Sequence, residues 1–104
     1  MSSSRHVDTE EILATARDIW GPGKNTLEEI AIALQVVCGD ISRQARDHQE
    51  RGTFSVVEIQ KELGNLLLST VRWIDDTGLN PSGCILHASS AQRIYRENRE
   101  NRHD

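Results

Sequence analysis

The sequence predicts an all-α fold, a four-helix bundle completed by homo-oligomerisation. Three observations predict it. Helix-start signatures recur four times along the chain, and the apolar residues between them recur at steps of three and four. No segment alternates apolar and polar residues as a half-buried strand would.

The first start is Val7-Asp8-Thr9-Glu10-Glu11-Ile12: an N-cap aspartate, a glutamate at the third helical position, and an apolar pair able to staple across the cap. This helix is expected to reach Trp20, where Gly21-Pro22-Gly23 cannot continue it. Thr26-Leu27-Glu28-Glu29 spaces a capping box. Behind it, Leu27, Ile30, Leu34, Val37, Cys38, Ile41 and Ala45 form one apolar stripe, ending at the polar 47–51 stretch and Gly52. Ser55 opens a third helix, with Glu58 placed to reach back to the cap and Phe54 to staple onto Ile59. Its stripe is Ile59, Leu63, Leu66, Leu67, Val71 and Ile74, and Gly78 stops it. Asn80-Pro81 supplies a cap and a first-turn proline for a fourth helix, striped by Cys84, Ala88, Ala91 and Tyr95. The expected organisation is a disordered N-terminus over 1–6, a helical domain over 7–96, and a charged, frayed tail over 97–104.

At 104 residues there is room for one domain. Twelve basic against sixteen acidic residues give a net charge of −4, which argues against nucleic acid as a partner. The arginines at 93, 96, 99 and 102 are interleaved with Glu97 and Glu100, as on a solvated helix end. No apolar run approaches the ~18–20 residues needed to cross a bilayer, so no membrane association is expected. No signal peptide is evident, and Cys38 and Cys84 read as small buried hydrophobes in a reducing, cytoplasmic setting.

The second and third helices are apolar on more than one side. Ile32 and Val36 lie off the main stripe of one, Leu68 and Trp73 off that of the other. A helix apolar on two sides is buried on two sides, and in a domain this small the second partner is expected to be another copy, as a dimer or tetramer.

Polar residues on the third helix also form a row: Glu58, Glu62, Asn65, Ser69, Arg72 and Asp76. On the second helix, Asp40 follows Val37 by three residues. Two antiparallel helices can bring Asp40 and Glu62 together as oxygen ligands suited to magnesium. By spacing alone, however, the row reads as a solvated face with intrahelical pairs such as Glu58 with Lys61. The four histidines show no metal spacing, the serines no triad context, and Gly21–Lys24 no phosphate-loop pattern. Trp20 and Trp73 are expected in helix interfaces, with base stacking the alternative use.

The segment Leu34-Gln35-Val36-Val37-Cys38-Gly39-Asp40-Ile41-Ser42, followed by Glu62-Leu63-Gly64-Asn65-Leu66-Leu67 and then Gly78-Leu79-Asn80-Pro81, resembles the MazG-like all-alpha NTP pyrophosphohydrolase superfamily. The resemblance covers about residues 8 to 96. It implies a four-helix MazG-like bundle that hydrolyses a nucleoside triphosphate to NMP and pyrophosphate with magnesium held by carboxylates. The family's first two metal glutamates fall on Val37 and Asp40, the third on Glu62, and its aspartate on Asn65. The nucleotide-contacting lysine and asparagine of its last helix fall on His87 and Ala91.

Val37 offers no oxygen and Asn65 no charge, which halves the anionic ligand set. Glu58 and Asp76 share the helix face of Glu62 and are the carboxylates available for recruitment, with Glu29 a further neighbour. The expectation is therefore a divergent MazG-like protein with a degenerate metal site at Asp40, Glu62 and Asn65. It would be a non-catalytic or weakly nucleotide-binding oligomer, with magnesium weak or absent. The alternative is an active magnesium-dependent NTP pyrophosphohydrolase. Fold alone does not decide between them.

Overall fold

Each expected start nucleates a helix. In a computed structural model that describes residues 6–53 and 55–101, α1 spans Thr9–Trp20, α2 Leu27–Arg51, α3 Val56–Asp76 and α4 Pro81–Asn101. No strand occurs among the described residues. None of their helices is long and apolar enough to cross a membrane.

The caps are chemically explicit. Asp8 accepts from the Glu11 amide at 2.9 Å. Thr26 and Glu29 close a full capping box, each accepting from the other's backbone amide, at 3.2 and 2.8 Å. Ser55 accepts from the Glu58 amide, but the Glu58 carboxylate turns away to Lys61 at 3.0 Å. The Phe54 staple lies outside the described residues. Val7 remains 57% exposed beside its buried expected partner Ile12. Gly52 ends α2 in the left-handed region (φ 69°). Past α3, the Gly78 and Leu79 amides bond back to the Asp75 and Ile74 carbonyls; this Schellman turn needs the positive φ of Gly78 (77°). Asn80 then caps α4 by accepting from Gly83 at 2.7 Å.

α3 is the central element, and both α1 and α2 pack on it. The first turns of α1 lie beside Val71 and Asp75, and Ile19 and Trp20 beside Gly64 and Leu68, so α1 runs antiparallel to α3. The buried apolar residues are Ile12, Ala16, Val37, Val71 and Trp73.

The orientation of α3 follows expectation in part: Val71 of its stripe is buried and Ile59, Leu66 and Ile74 are half-buried. Its polar row is covered as well: Ser69 and the Asp76 side chain are buried, and Glu58, Glu62, Asn65 and Arg72 are half-buried. Leu63 and Leu67, expected in the core, are 51% and 56% exposed. α2 is mixed in the same way. Val37 of its stripe is buried and Ile30 and Ile41 are half-buried, alongside Ala33, Asp40 and Gln44, while Leu27, Leu34, Cys38 and Ala45 are exposed. Trp73 is also corrected: it is 7% exposed and belongs to this chain's own core, not to an outward face. Neither cysteine is buried; both are free, Cys38 exposed and Cys84 half-buried.

α4 runs to Asn101, with Arg96 and Glu100 paired one turn apart at 3.6 Å. Its expected stripe is not covered. Ala88, Ala91 and Tyr95 are all exposed, and α4 has no packing against α1, α2 or α3 comparable to theirs on α3.

Candidate functional site

The inward polar row of α3 meets the end of α1 in an open cleft of about 500 Å³. Its walls include Ile19 and Trp20 from α1 and Lys61, Glu62, Asn65 and Leu68 from α3. The volume falls in the range of small-molecule sites, roughly 300–1,000 Å³. α1 stops at Gly21, which leaves Trp20 at the helix end and 41% exposed. Arg72 stacks 4.6 Å from the centre of its indole, and the buried Nε–H of Arg72 has no hydrogen-bond partner.

The short 52–55 connection folds α3 back beside α2 and brings Asp40 within electrostatic reach of Lys61. The Lys61 ammonium is held above its ordinary pKa, first by its hydrogen bond to Glu58 and then by the charges of Glu58, Glu62 and Asp40. Asp40 also pairs with Arg43 one turn along α2. Two sequence-expected carboxylates, Asp40 and Glu62, therefore share one lysine as neighbour. Asn65 lines the same cleft as Glu62.

The other expected ligand positions are engaged elsewhere. Val37 is 6% exposed and packs as a core aliphatic. Glu58 is held by Lys61, and Glu29 closes the α2 cap. Asp76 lies fourteen residues beyond Glu62, about 21 Å along the helix. There its fully buried side chain accepts from Arg17 at 2.6 Å and from both the backbone and side-chain nitrogens of Asn25 at 3.1 Å. Burial alone would raise the Asp76 pKa, but the hydrogen bonds from Arg17 and Asn25 outweigh it and hold it below the usual carboxylate value. Among the described residues, no group of three or more His, Cys, Asp or Glu side chains is arranged to hold a metal ion. His87 and Ala91 lie exposed on α4, away from the cleft walls.

Sequence reasoning missed Trp20, Lys61 and Arg72 as a set. Trp20 and Trp73 look alike by spacing, but the helix stop at Gly21 puts one on a cleft and the α3 packing buries the other. The available signal was the arrest of α1 immediately after Trp20, since a tryptophan on the last turn has no following turn to cover it.

Comparison with known proteins adds no family to this geometry: no protein-family model, no curated protein and no solved structure matches the chain.

Proposed function

We propose that the chain is a divergent MazG-like helical oligomer whose cleft binds a nucleotide without metal-dependent hydrolysis. The observation that carries this reading is the set of groups at the cleft: an exposed indole at Trp20, the Lys61 ammonium, which also pairs with Glu58, and an amide at Asn65, with the Arg72 guanidinium stacked on the indole beside the cleft walls. A nucleotide is a planar π-system joined to an anion. An indole suits the first by stacking, and lysine and arginine suit the second. Arg72 stacks on the Trp20 ring, and Asn65 offers both donor and acceptor to a base edge.

The MazG-like reading draws support from the order of the four helices and from Asp40 on α2 and Glu62 on α3 both acting by charge on Lys61. The non-hydrolytic part is supported by the engagement of the remaining candidates. Val37 is core, Glu58 is paired with Lys61, and Asp76 belongs to the Arg17–Asn25 network. The oligomeric part is supported by the exposed apolar rows on α2 and α3.

The test is a calorimetric titration of the full chain with ATP and ADP, in magnesium and in EDTA, beside a pyrophosphate-release assay. The expected result is binding that survives EDTA, no pyrophosphate release, and at least about tenfold weaker binding in Trp20→Ala, the cost of one lost base stack. Metal-dependent pyrophosphate release that disappears in Glu62→Ala would instead establish the pyrophosphohydrolase. No nucleotide binding under either condition would overturn the reading.

A further inference from the structure

α4 is a 21-residue helix, about 31 Å long, with no substantial packing partner in its own chain. Its direction is nevertheless set. The Schellman turn over Ile74–Leu79 and the Asn80 cap define how the chain leaves α3 and enters α4. The helix still bears the apolar row Ala88, Ala91 and Tyr95, flanked by Ile94, and every one of these residues is exposed. α3 has the same length and shows an outward row of its own, Val56, Leu63 and Leu67, each more than half exposed.

The size of the uncovered surface indicates what covers it. The chain exposes 8316 Å², against about 5,900 Å² for a compact monomer of its mass. Its radius of gyration is 17.0 Å, against roughly 13 Å for a globular domain of this length. The surplus is about 2,400 Å² per chain, and two chains covering one another's surplus fit the roughly 2,000–5,000 Å² of obligate homodimers. Charge agrees with the same pairing. Residues 7–80 carry thirteen acidic and seven basic side chains, whereas 81–101 carry three arginines and two glutamates. α4 is thus net positive and the body it would meet is net negative.

We infer that α4 is an exchanged arm: its Ala88–Ala91–Tyr95 row lies along the Leu63–Leu67 row of α3 in a second copy of the chain, and the second copy's α4 returns the contact. The inference rests on the homo-oligomer reading and goes beyond it by naming the two surfaces that meet. A two-fold axis makes the exchange reciprocal, so that both apolar rows are covered at once.

Light scattering on the full-length chain and two variants tests this, together with one cross-link. Leu67→Glu and Ala91→Glu change exposed residues, so each is expected to fold, with an unchanged helical circular-dichroism spectrum, and to halve the particle mass. For the cross-link, Cys38→Ser and Cys84→Ser are made throughout. One tagged copy then carries Leu67→Cys and the other Ala91→Cys, so that any 67–91 disulfide formed with copper–phenanthroline joins two chains. Halved mass in both variants and a 67–91 disulfide in the mixed sample are the expected result. A parent chain that is itself monomeric would overturn both the oligomer reading and the exchanged arm. A parent oligomer that persists in Ala91→Glu, or that forms no 67–91 disulfide, would overturn the arm alone and leave the oligomer standing on other surfaces.

Discussion

Arg17 donates to Asp76 at 2.6 Å, and the Asp76 side chain is fully withdrawn from solvent while that of Arg17 keeps 20% exposure. The same guanidinium donates to Asp75 at 2.7 Å and to the Gly23 carbonyl at 3.1 Å, and Asn25 completes the shell of Asp76. One charge cluster thus ties the end of α1, the 21–26 connection and the end of α3. Removing one partner leaves the other buried without its counter-charge. Asp76→Ala is expected to destabilise the fold by about 3 kcal/mol, read as a drop in thermal midpoint of roughly 12–24 °C. Asp75→Ala removes the more exposed contact and is expected to cost under about 1 kcal/mol. Equal losses in the two variants would show that burial of Asp76 does not set its contribution.

The same cluster gives a pH dependence of definite sign. The Asp76 pKa is depressed in the folded chain, so the unfolded chain binds the proton more readily. The stabilisation is present above the ordinary aspartate pKa of about 3.9 and is lost as pH falls through the lower folded value. Denaturant midpoints measured from pH 6 downward are expected to decline for the parent chain below about pH 4–5. The decline should be shallower in Asp76→Asn. Parallel curves would assign the acid sensitivity to other carboxylates.

Trp20 and Trp73 are expected to separate stability from binding. Trp73 is in the core, and Trp73→Ala should cost about 3–5 kcal/mol. Its indole Nε–H has no partner, so Trp73→Phe keeps most of the packing without leaving a donor unsatisfied and should cost less than the alanine variant. Trp20 is 41% exposed and stacked on Arg72, and Trp20→Ala is expected to cost about 1 kcal/mol or less. Chemical denaturation of the three variants distinguishes these roles. A Trp20 variant as unstable as the Trp73 variant would make Trp20 a structural residue.

The helices were legible because their signals are local. Asp8, Thr26, Ser55 and Asn80 each satisfy amides within three residues, and Gly52 and Gly78 each accept a backbone conformation close to the end of a helix. The facing of the helices was legible only in part, because it is decided between elements: Ile59, Leu66, Val71 and Ile74 are covered as their stripe predicts, but not the whole stripe. Leu63 and Leu67 form as good a stripe as any core, yet α3 presents Glu62, Asn65 and Ser69 to its neighbours. Periodicity identifies an apolar face without saying which chain covers it. The charge of Asp40 and Glu62 acting on one lysine was not read from the sequence. The two carboxylates follow from the hairpin of α2 and α3, but Lys61 read only as a partner of Glu58. Asp76 was misjudged by sharing a face with Glu62, because a row that runs from Glu58 to Asp76 spans two different environments.

Adding the two carboxylates that the proposed MazG-like reading lacks should therefore not be symmetrical. Asn65 is half-buried on the cleft, so Asn65→Asp adds a carboxylate where Glu62 already lines the wall and where water and Lys61 can compensate its charge. Manganese binding, followed by electron paramagnetic resonance, is expected to strengthen in that variant. Val37 is 6% exposed in the core beside α3, so Val37→Glu buries a carboxylate without a partner and is expected to cost several kcal/mol. The double variant should then bind manganese no better than Asn65→Asp and should melt well below it. A stable double variant with the tightest metal binding would show that the site at Val37 opens to solvent, and would return the chain to the catalytic reading.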